Sequence, residues 1–317
     1  MNGNRNVKAD NCIDIIKLIC CLLIVGMHIH PLLPSPEINF YIQEYICRIA
    51  VPFFFLSTGY FFSGMDDRKR KSYIKRLLII YAVSSIIYLP CYFTEGIGKI
   101  IYFLLTAYNH LWYLNTLAIC LIIIFMIDKY APKFKYFLFI LLPVAVFFEN
   151  YCRLIGSHSL DDISSFLEVS SIDRYLKAIP FLLTGDVIRN RKIRTSIRTD
   201  IILFIILMAS ALAEVIFLRS GFGLTVSIDV SVFGWTPAIP IFLFGIKTMS
   251  FLDPVSSKFL RKTIDLVYIV HIMMIMVMSG AFHLQTIPLY LATLAMSFIL
   301  SVMIVYLMAR SGRSSIL

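Results

Sequence analysis

A succession of ten apolar stretches is the feature that most constrains how this chain can fold. A helix needs roughly 20 apolar residues to cross the hydrocarbon core of a bilayer. Each stretch is too long for a buried strand, and the period-two alternation of a membrane β-barrel is absent. The pattern therefore predicts an all-α polytopic membrane protein with about ten transmembrane helices. The stretches lie at approximately 12–33, 44–62, 74–93, 97–127, 135–149, 173–188, 200–218, 230–251, 263–283 and 286–309.

Composition agrees with this interpretation. Of the 317 residues, 59% are hydrophobic and 15% are charged, whereas soluble domains are about 45–50% apolar and about 25% charged. These values exclude an ordinary soluble enzyme, a disordered chain and a nucleic-acid-binding domain, despite the net charge of +10. The seven cysteines show neither Cys-x-x-Cys spacing nor a Cys/His cluster, so we expect no zinc or iron–sulfur site.

The distribution of basic residues predicts the orientation of the helices. With the N-terminus in the cytoplasm, most of the 29 Lys and Arg residues fall in connections on the inner side. Excess Lys and Arg in short loops marks the cytoplasmic side of a membrane protein. We therefore predict that both termini are cytoplasmic, and the basic balance requires no polyanionic partner. The bases expected on the outer side are Lys99, Arg153, Arg174, Lys177 and Arg219.

Two stretches have further features. The stretch 97–127 is long enough for a short re-entrant or interfacial piece followed by a full helix that begins near His110. AIPFLLTGDVIR (178–189) also resembles AIPIFLFGIK (238–247). We interpret this similarity as a shared Pro and Gly pattern rather than as proof of an internal repeat.

Ionisable side chains inside a span cost several kcal/mol on insertion, which makes each a functional candidate. Lys17 and His28 lie in the first stretch, 11 residues apart, so they share one helix face with a rise of roughly 16 Å between them. Asp14 lies one turn before Lys17 and can pair with it. His28 is predicted in the outer third of the membrane, unless it only bonds to a neighbouring helix.

Other polar residues are predicted at the same depth. Arg48 opens the second helix, unless it only snorkels to the interface. His110 and Trp112 open the core of the fourth helix, where an aromatic belt is the alternative explanation. Glu214 lies in the outer third of the seventh helix and is too short to snorkel far. His271 is placed near the middle of the ninth helix, where a helix–helix hydrogen bond is favoured over catalysis.

These residue types suit proton transfer. A neutral imidazole is the usual general base at physiological pH, and a carboxylate such as that of Glu214 can orient it. Donors such as Arg48 or His110 can stabilise a developing oxyanion. Because no serine nucleophile elbow or metal motif occurs, direct transfer to an acceptor hydroxyl is favoured over a covalent enzyme intermediate. The basic stretch 68–76 can hold a phosphorylated head group, or it can reflect topology alone.

Several motifs carry a resemblance to a known family. IDIIKLICCLLIVGMHIHPLL (13–33) and RIAVPFFFLSTGYFF (48–62) resemble the first two helices of the acyltransferase-3 family of membrane acyltransferases. HLWYL (110–114) and YIVHIMM (268–274) resemble its later helices. The resemblance covers essentially the whole chain, so residues 1–317 are interpreted as a single acyltransferase-3-like transmembrane domain.

This resemblance implies transfer of an acyl group, often acetyl, from cytosolic acyl-CoA to an extracytoplasmic hydroxyl, commonly on a cell-wall or surface glycan. Acyl-CoA is then a co-substrate, and no permanently bound cofactor is expected. His28 matches the essential histidine of the family, and Lys17 stands where the family signature has Arg. Lys75 and Arg76 loosely match a further Arg pair. These cations are expected to meet the CoA phosphates at the inner side of a multi-pass protein in the bacterial plasma membrane.

The chain is also similar to the membrane half of vancomycin-resistance serine racemases, in which the same architecture precedes a pyridoxal-phosphate domain. This similarity leaves open a further C-terminal domain beyond Leu317. It also implies an alternative function, in which the chain binds or transports L-serine. In that case Arg48 would hold the carboxylate of the amino acid, and Glu214 its ammonium group.

Overall fold

The computed structural model describes residues 10–147, 172–222, 233–248 and 254–311. Every regular element within these ranges is helical, which confirms the all-α prediction. In chain order the α-helices are α1 Asp10–Met27, α2 Pro36–Tyr41, α3 Ala50–Ser63, α4 Asp67–Tyr88, α5 Ile97–Thr106, α6 Trp112–Tyr130, α7 Leu141–Val146, α8 Ile172–Asn190, α9 Ile197–Phe222, α10 Ala238–Lys247, α11 Pro254–Phe282 and α12 Thr286–Arg310.

Six helical segments in the described residues are long and apolar enough to cross a membrane. This supports a multi-pass membrane protein, whereas the count of ten spans and the cytoplasmic placement of both termini stay predictions. Shorter apolar helices occupy Ile97–Thr106, Lys135–Val146 and Ala238–Lys247. The six long segments are Pro36–Ser63, Asp67–Cys91, Asn109–Tyr130, Ile197–Ser220, Ser256–Phe282 and Thr286–Arg310.

The predicted division of the fourth apolar stretch is confirmed. A short helix, α5, is followed by a 3₁₀ turn at Asn109–Leu111 and then by the full-length helix α6. The backbone of Ala107 has φ 72° and that of Asn109 has φ 47°, so the chain bends sharply between the two helices. Hence the long apolar stretch forms two helices rather than one.

The chain divides into two compact units, which are described separately. Unit 1 comprises residues 1–54 and 194–317, and unit 2 comprises residues 55–193. In unit 1, α1 packs against α10, α11 and α12, and α11 and α12 form an extensive antiparallel pair. A buried apolar cluster fills the space around α1. Its members are Cys21, Val25, Ile29, Ile264, Val267, Met278 and Leu289.

In unit 2, glycines allow two helices to approach closely. A Cβ atom added to Gly59 on α3 would overlap the carbonyl oxygen of Leu182 on α8. A Cβ atom added to Gly185 on α8 would likewise overlap the carbonyl oxygen of Leu56 on α3. Small residues at helix crossings let backbones come together, as is common in membrane proteins. The two backbones are therefore in direct contact at this crossing.

The N-terminus of α4 is capped by a side chain outside the long segments. Asp66 accepts a hydrogen bond from the backbone N–H of Lys69 at 2.9 Å, as N-cap residues do. This bond, together with the side-chain contact from Lys69, lowers the pKa of the exposed Asp66 carboxyl. The cap fixes where the basic stretch 68–76 begins to be helical.

Candidate functional site

His28 lies immediately after α1. The helix ends at Met27, and the backbone N–H of His28 donates to the carbonyl oxygen of Val25 at 3.2 Å. The sequence predicted His28 within the helix, but Pro31, Pro34 and Pro36 follow it, and proline removes the backbone donor that a continued helix needs. His28 is therefore carried on the last turn rather than on the helix body.

A second histidine lies beside His28. The rings of His28 and His271 lie 5.2 Å apart between centroids and are tilted by 42°. His271 is fully buried on α11. The sequence favoured a helix–helix hydrogen bond for His271, and it missed this pairing because nothing in the local sequence of either residue points to the other. The motif YIVHIMM, which contains His271, was the signal in the sequence that could have marked this histidine as functional.

Backbone carbonyls fix the tautomer of His271. Its Nδ1 atom lies 2.7 Å from the carbonyl oxygen of Tyr268 and 3.3 Å from that of Val267, both on the same helix. A carbonyl oxygen only accepts hydrogen bonds, so Nδ1 must carry the hydrogen. In the neutral ring the lone pair is then on Nε2. The tautomer is set by the helix backbone, as in many functional histidines.

Arg48 lies on the helical stretch that leads into α3. Its Nη2 atom contacts the carboxylate of Glu44 at 2.7 Å, and its Nε atom donates to the same oxygen at 3.1 Å. Both side chains are largely buried, with 14% and 10% of their areas exposed. Arg48 is also close enough to interact electrostatically with His28. The structure thus places Arg48 within electrostatic range of His28 and pairs it with Glu44, which the sequence analysis missed.

Glu214 is buried on α9, as its short side chain led us to expect. Its carboxylate accepts a hydrogen bond from the backbone N–H of Phe233 at 2.8 Å. The bond ties α9 to the segment before α10. A role for Glu214 in orienting His28 stays a prediction.

Polar groups also meet at the other end of α1. The buried carboxylate of Asp14 accepts a hydrogen bond from Ser257 and lies 3.4 Å from Nε of Arg261, both on α11. Lys17 interacts electrostatically with Asp14. The structure therefore places a second cation, Arg261, in this region in addition to Lys17. The contact between Arg261 and Asp14 depends on the packing of α1 against α11.

Two predicted residues lie in an aromatic cluster of unit 2. His110 is buried and meets the ring of Tyr88 edge to face, with centroids 5.1 Å apart. Trp112 lies under the guanidinium of Arg174, which is 5.5 Å from the ring centroid. Arg174 also donates to the carbonyl oxygen of Thr106 at 3.0 Å. His110 and Trp112 are thus packed together with α4 and α8 residues.

The basic stretch 68–76 has two kinds of members. Arg70 is turned inward and donates to the carbonyl oxygen of Ser63 and to Asp128, each at 2.9 Å. Its guanidinium is therefore engaged inside unit 2. Lys75 is exposed and Arg76 is half-buried, so these two predicted phosphate contacts remain available on the surface of α4.

The half-buried Arg70 and Asp128 continue into a network with the buried Lys135 and Asp186, which the sequence analysis did not identify. Lys135 contacts Asp128 at 2.7 Å and Asp186 at 2.8 Å. Asn190 donates to Asp186 at 3.0 Å. The positive-inside rule counted Arg70 and Lys135 only as topological signals. Within the described ranges, no group of three or more His, Cys, Asp or Glu residues is arranged to hold a metal ion.

Comparison with known proteins places these residues in a family. Residues 10–306 match the acyltransferase-3 family, which is described as an acyltransferase domain. An amino-acid racemase from Enterococcus faecalis is 32% identical over 163 residues, which cover 46% of this chain and 23% of that protein. A second amino-acid racemase from the same species is 30% identical over 122 residues, which cover 32% of this chain and 17% of that protein.

A serine/alanine racemase from Enterococcus gallinarum is 30% identical over 123 residues, covering 33% of this chain and 18% of that protein. The aligned part thus spans less than a quarter of the length of each of these relatives. No solved structure matches the chain. Because the family match extends over nearly all of the sequence and includes both His28 and His271, the chain belongs to the acyltransferase-3 family.

Proposed function

We propose that this protein is an integral membrane O-acyltransferase. It would move an acyl group, most simply acetyl, from cytosolic acyl-CoA to a hydroxyl of a cell-wall or surface glycan. Its place would be the bacterial plasma membrane. The observation that supports the proposal is the His28–His271 pair, because an imidazole is the usual general base and a second imidazole lies 5.2 Å from it between ring centroids.

In the proposed step, His28 takes the proton from the acceptor hydroxyl while that oxygen attacks the thioester carbonyl carbon. A bond forms between this oxygen and the acyl carbon, and the carbon–sulfur bond breaks. The proton passes from His28 to the departing CoA thiolate, so the products are the ester and free CoA. Arg48 would stabilise the negative charge on the acyl oxygen, since a fixed cation in a site sheltered from water stabilises an oxyanion.

The remaining predicted residues are assigned by charge and position. Lys17, Lys75 and Arg76 would contact the CoA phosphates, since Lys and Arg bind phosphate oxygens. Glu214 would orient His28, and His110 with Trp112 would contact the acceptor. The ion pair between Arg48 and Glu44 supports a site in which the arginine is held in one place rather than free to move.

A test uses membranes from cells that produce the protein, incubated with radiolabelled acetyl-CoA. The measured quantity is alkali-labile acetyl ester, because esters but not amides are cleaved by mild base. His28→Ala is expected to lower the rate by a factor of about 10²–10⁴, the usual contribution of a general base. His30→Ala is the matched control, because His30 is exposed two residues away on the same turn.

Each outcome of this experiment has a separate interpretation. Loss of transfer in His28→Ala, with normal transfer in His30→Ala and normal thermal stability in both, supports the proposal. Near-normal transfer by His28→Ala would remove His28 from the mechanism. Lys17→Ala should raise the KM for acetyl-CoA with little change in kcat, and an unchanged KM would place the donor elsewhere.

The racemase relatives favour one alternative, namely that the chain binds or transports L-serine. One of these relatives is a serine/alanine racemase, although the alignment covers 18% of it. Purified protein titrated with L-serine and, separately, with acetyl-CoA separates the two functions. Saturable binding of L-serine without acetyl-CoA binding would favour the alternative, and the opposite result would favour acyl transfer.

A further inference from the structure

A pair of carboxamide side chains holds the turn that carries His28. Gln43 is 2% exposed and lies in a π-helical turn, Ile42–Ile46, between α2 and α3. Its Nε2 atom donates to the carbonyl oxygen of Ile29 at 2.7 Å and to that of Gly26 at 3.2 Å. These two carbonyls precede and follow His28 in the chain, so one buried side chain hydrogen-bonds to the turn on both sides of the histidine.

The side-chain amide of Asn39 binds the side-chain amide of Gln43. The Nδ2 atom of Asn39 donates to Oε1 of Gln43 at 2.7 Å. The Oδ1 atom of Asn39 accepts from the backbone N–H groups of Leu32 at 2.7 Å and of Leu33 at 3.1 Å. Asn39 therefore connects Gln43 to the chain that leaves the His28 turn.

The orientation of both amides follows from the backbone at each end. Leu32 and Leu33 present N–H groups, which only donate, so the atom of Asn39 that faces them must be its oxygen. Its NH₂ group then faces Gln43, which must present oxygen to it. The NH₂ group of Gln43 is left facing the carbonyls of Gly26 and Ile29, which only accept. No alternative orientation satisfies all five bonds.

The location of these bonds suggests their purpose. The last carbonyls of a helix lack partners within that helix and need donors from elsewhere. Gln43 supplies a donor to Gly26 in the last turn of α1 and another to Ile29 just beyond it. The Gly26 carbonyl also accepts from the backbone N–H of Ile29 at 3.4 Å, which is longer than either bond from Gln43. Because a buried carbonyl without a donor is costly, the bonds from Gln43 stabilise this conformation of the turn.

We propose that Gln43, oriented by Asn39, is a positioning residue that fixes His28 relative to His271. The inference rests on the proposed function in one respect, that His28 is the base. The Gln43 side chain donates to backbone carbonyls around His28, so it acts through the histidine and takes no part in the chemistry itself. Errors of about 1 Å in the placement of a reacting group can cost about 10²-fold in rate.

Gln43→Leu is the direct test, because leucine keeps the approximate volume and removes both donors. We expect kcat for acetyl transfer to fall by about 10–100-fold, with KM for acetyl-CoA unchanged, as for a misplaced group. Gln285→Leu is the control, since Gln285 is exposed and makes no capping side-chain hydrogen bond to α12. A fall in thermal stability without this selective fall in kcat would overturn the proposal.

A second variant covers the case in which Gln43→Leu does not fold. Asn39→Asp has the same shape and keeps the acceptor for Leu32 and Leu33, but it loses the donor to Gln43 and places an oxygen against an oxygen. We expect a smaller fall in kcat in the same direction. An unchanged kcat in Asn39→Asp would show that the orientation of Gln43 does not matter for His28.

An independent measurement needs no acyl transfer. Diethyl pyrocarbonate modifies exposed imidazoles, and mass spectrometry of peptides gives the rate for each histidine. In purified protein, Gln43→Leu and Asn39→Asp should change the modification rate of His28 several-fold, while that of the exposed His283 stays constant. Equal rates in variant and parent would refute the positioning role. A changed rate together with absent transfer in the parent would refute the proposed function alone.

Discussion

A charge network in unit 2 and the turn around His28 in unit 1 are held by different kinds of polar group. The network in unit 2 consists of the buried Lys135 and Asp186 with the half-buried Arg70 and Asp128, and each contacts an opposite charge within 3 Å. In unit 1 the turn around His28 is held by the neutral amides of Gln43 and Asn39, and the imidazole of His271 lies beside the His28 ring. Paired charges stabilise one arrangement of their side chains, whereas an imidazole can accept or release a proton near physiological pH. The difference separates a structural network from a candidate reaction site.

The glycine contacts at helix crossings also differ between the units. Gly185 in unit 2 faces a backbone carbonyl, which cannot move without moving a helix. Gly245 in unit 1 faces side chains of α1, and an added Cβ atom would lie 2.7 Å from Cδ1 of Ile16 and 3.3 Å from Cγ1 of Ile13. Side-chain ends can rotate away. Unit 2 should therefore tolerate substitutions less well than unit 1, and the following predictions test this difference.

The largest effect is expected for Lys135→Met. The change leaves Asp128 and Asp186 buried with one cation fewer, and removal of one partner from a buried charge network costs about 3–5 kcal/mol. The thermal unfolding midpoint of purified protein should fall strongly. Lys69→Met is the control, because the Lys69–Asp66 pair is exposed and exposed pairs contribute little. Equal midpoints for both variants would show that the buried network is not what holds unit 2 together.

Gly185→Ala should have the next largest effect. The new methyl group would meet the Leu56 carbonyl, and forcing extra atoms into a packed contact costs about 1–3 kcal/mol or more. Gly245→Ala adds the same group at the corresponding place in AIPIFLFGIK and is expected to cost less, because Ile16 can adopt another rotamer. Thermal midpoints measured side by side decide the order. A larger loss for Gly245→Ala would reverse the comparison between the units.

Gly26→Ala should have the smallest effect. An added Cβ atom would lie 3.5 Å from Leu32 Cδ2 and 3.6 Å from Tyr290 Cε2, which are ordinary contact distances. Replacing glycine by alanine within a helix stabilises by about 0.5–1 kcal/mol, and the carbonyl that Gln43 binds is retained. We expect a slightly higher thermal midpoint and unchanged acetyl transfer. A drop in transfer would show that the His28 turn is more tightly constrained than its packing indicates.

The sequence predicted the helical class and the membrane character well, because the length of an apolar stretch is a local property. It placed the division of the stretch 97–127 correctly for the same reason. It did not identify the partner of His28, since His271 approaches it only through the packing of α1 against α11. The Gln43 bonds were also invisible, because their acceptors are backbone carbonyls, which every residue has.

Two other contacts show the same limit. The Phe233 N–H that Glu214 binds belongs to a segment with no recognisable motif. In the sequence, Arg70 could not be distinguished from its neighbours in the basic stretch. A basic residue at a helix end indicates the cytoplasmic side of the membrane, whether its side chain faces water or the protein interior. Only the positions of the Ser63 carbonyl and Asp128 distinguish it from Lys75.

The bond between His271 and the Tyr268 carbonyl has a consequence for how the site can change over evolution. The acceptor is main chain, so no single substitution at position 268 deletes it while α11 stays helical. Selection can therefore replace the phenol side chain of Tyr268 without disturbing the protonation pattern of the imidazole. The fold thereby uncouples the identity of residue 268 from the tautomer of His271.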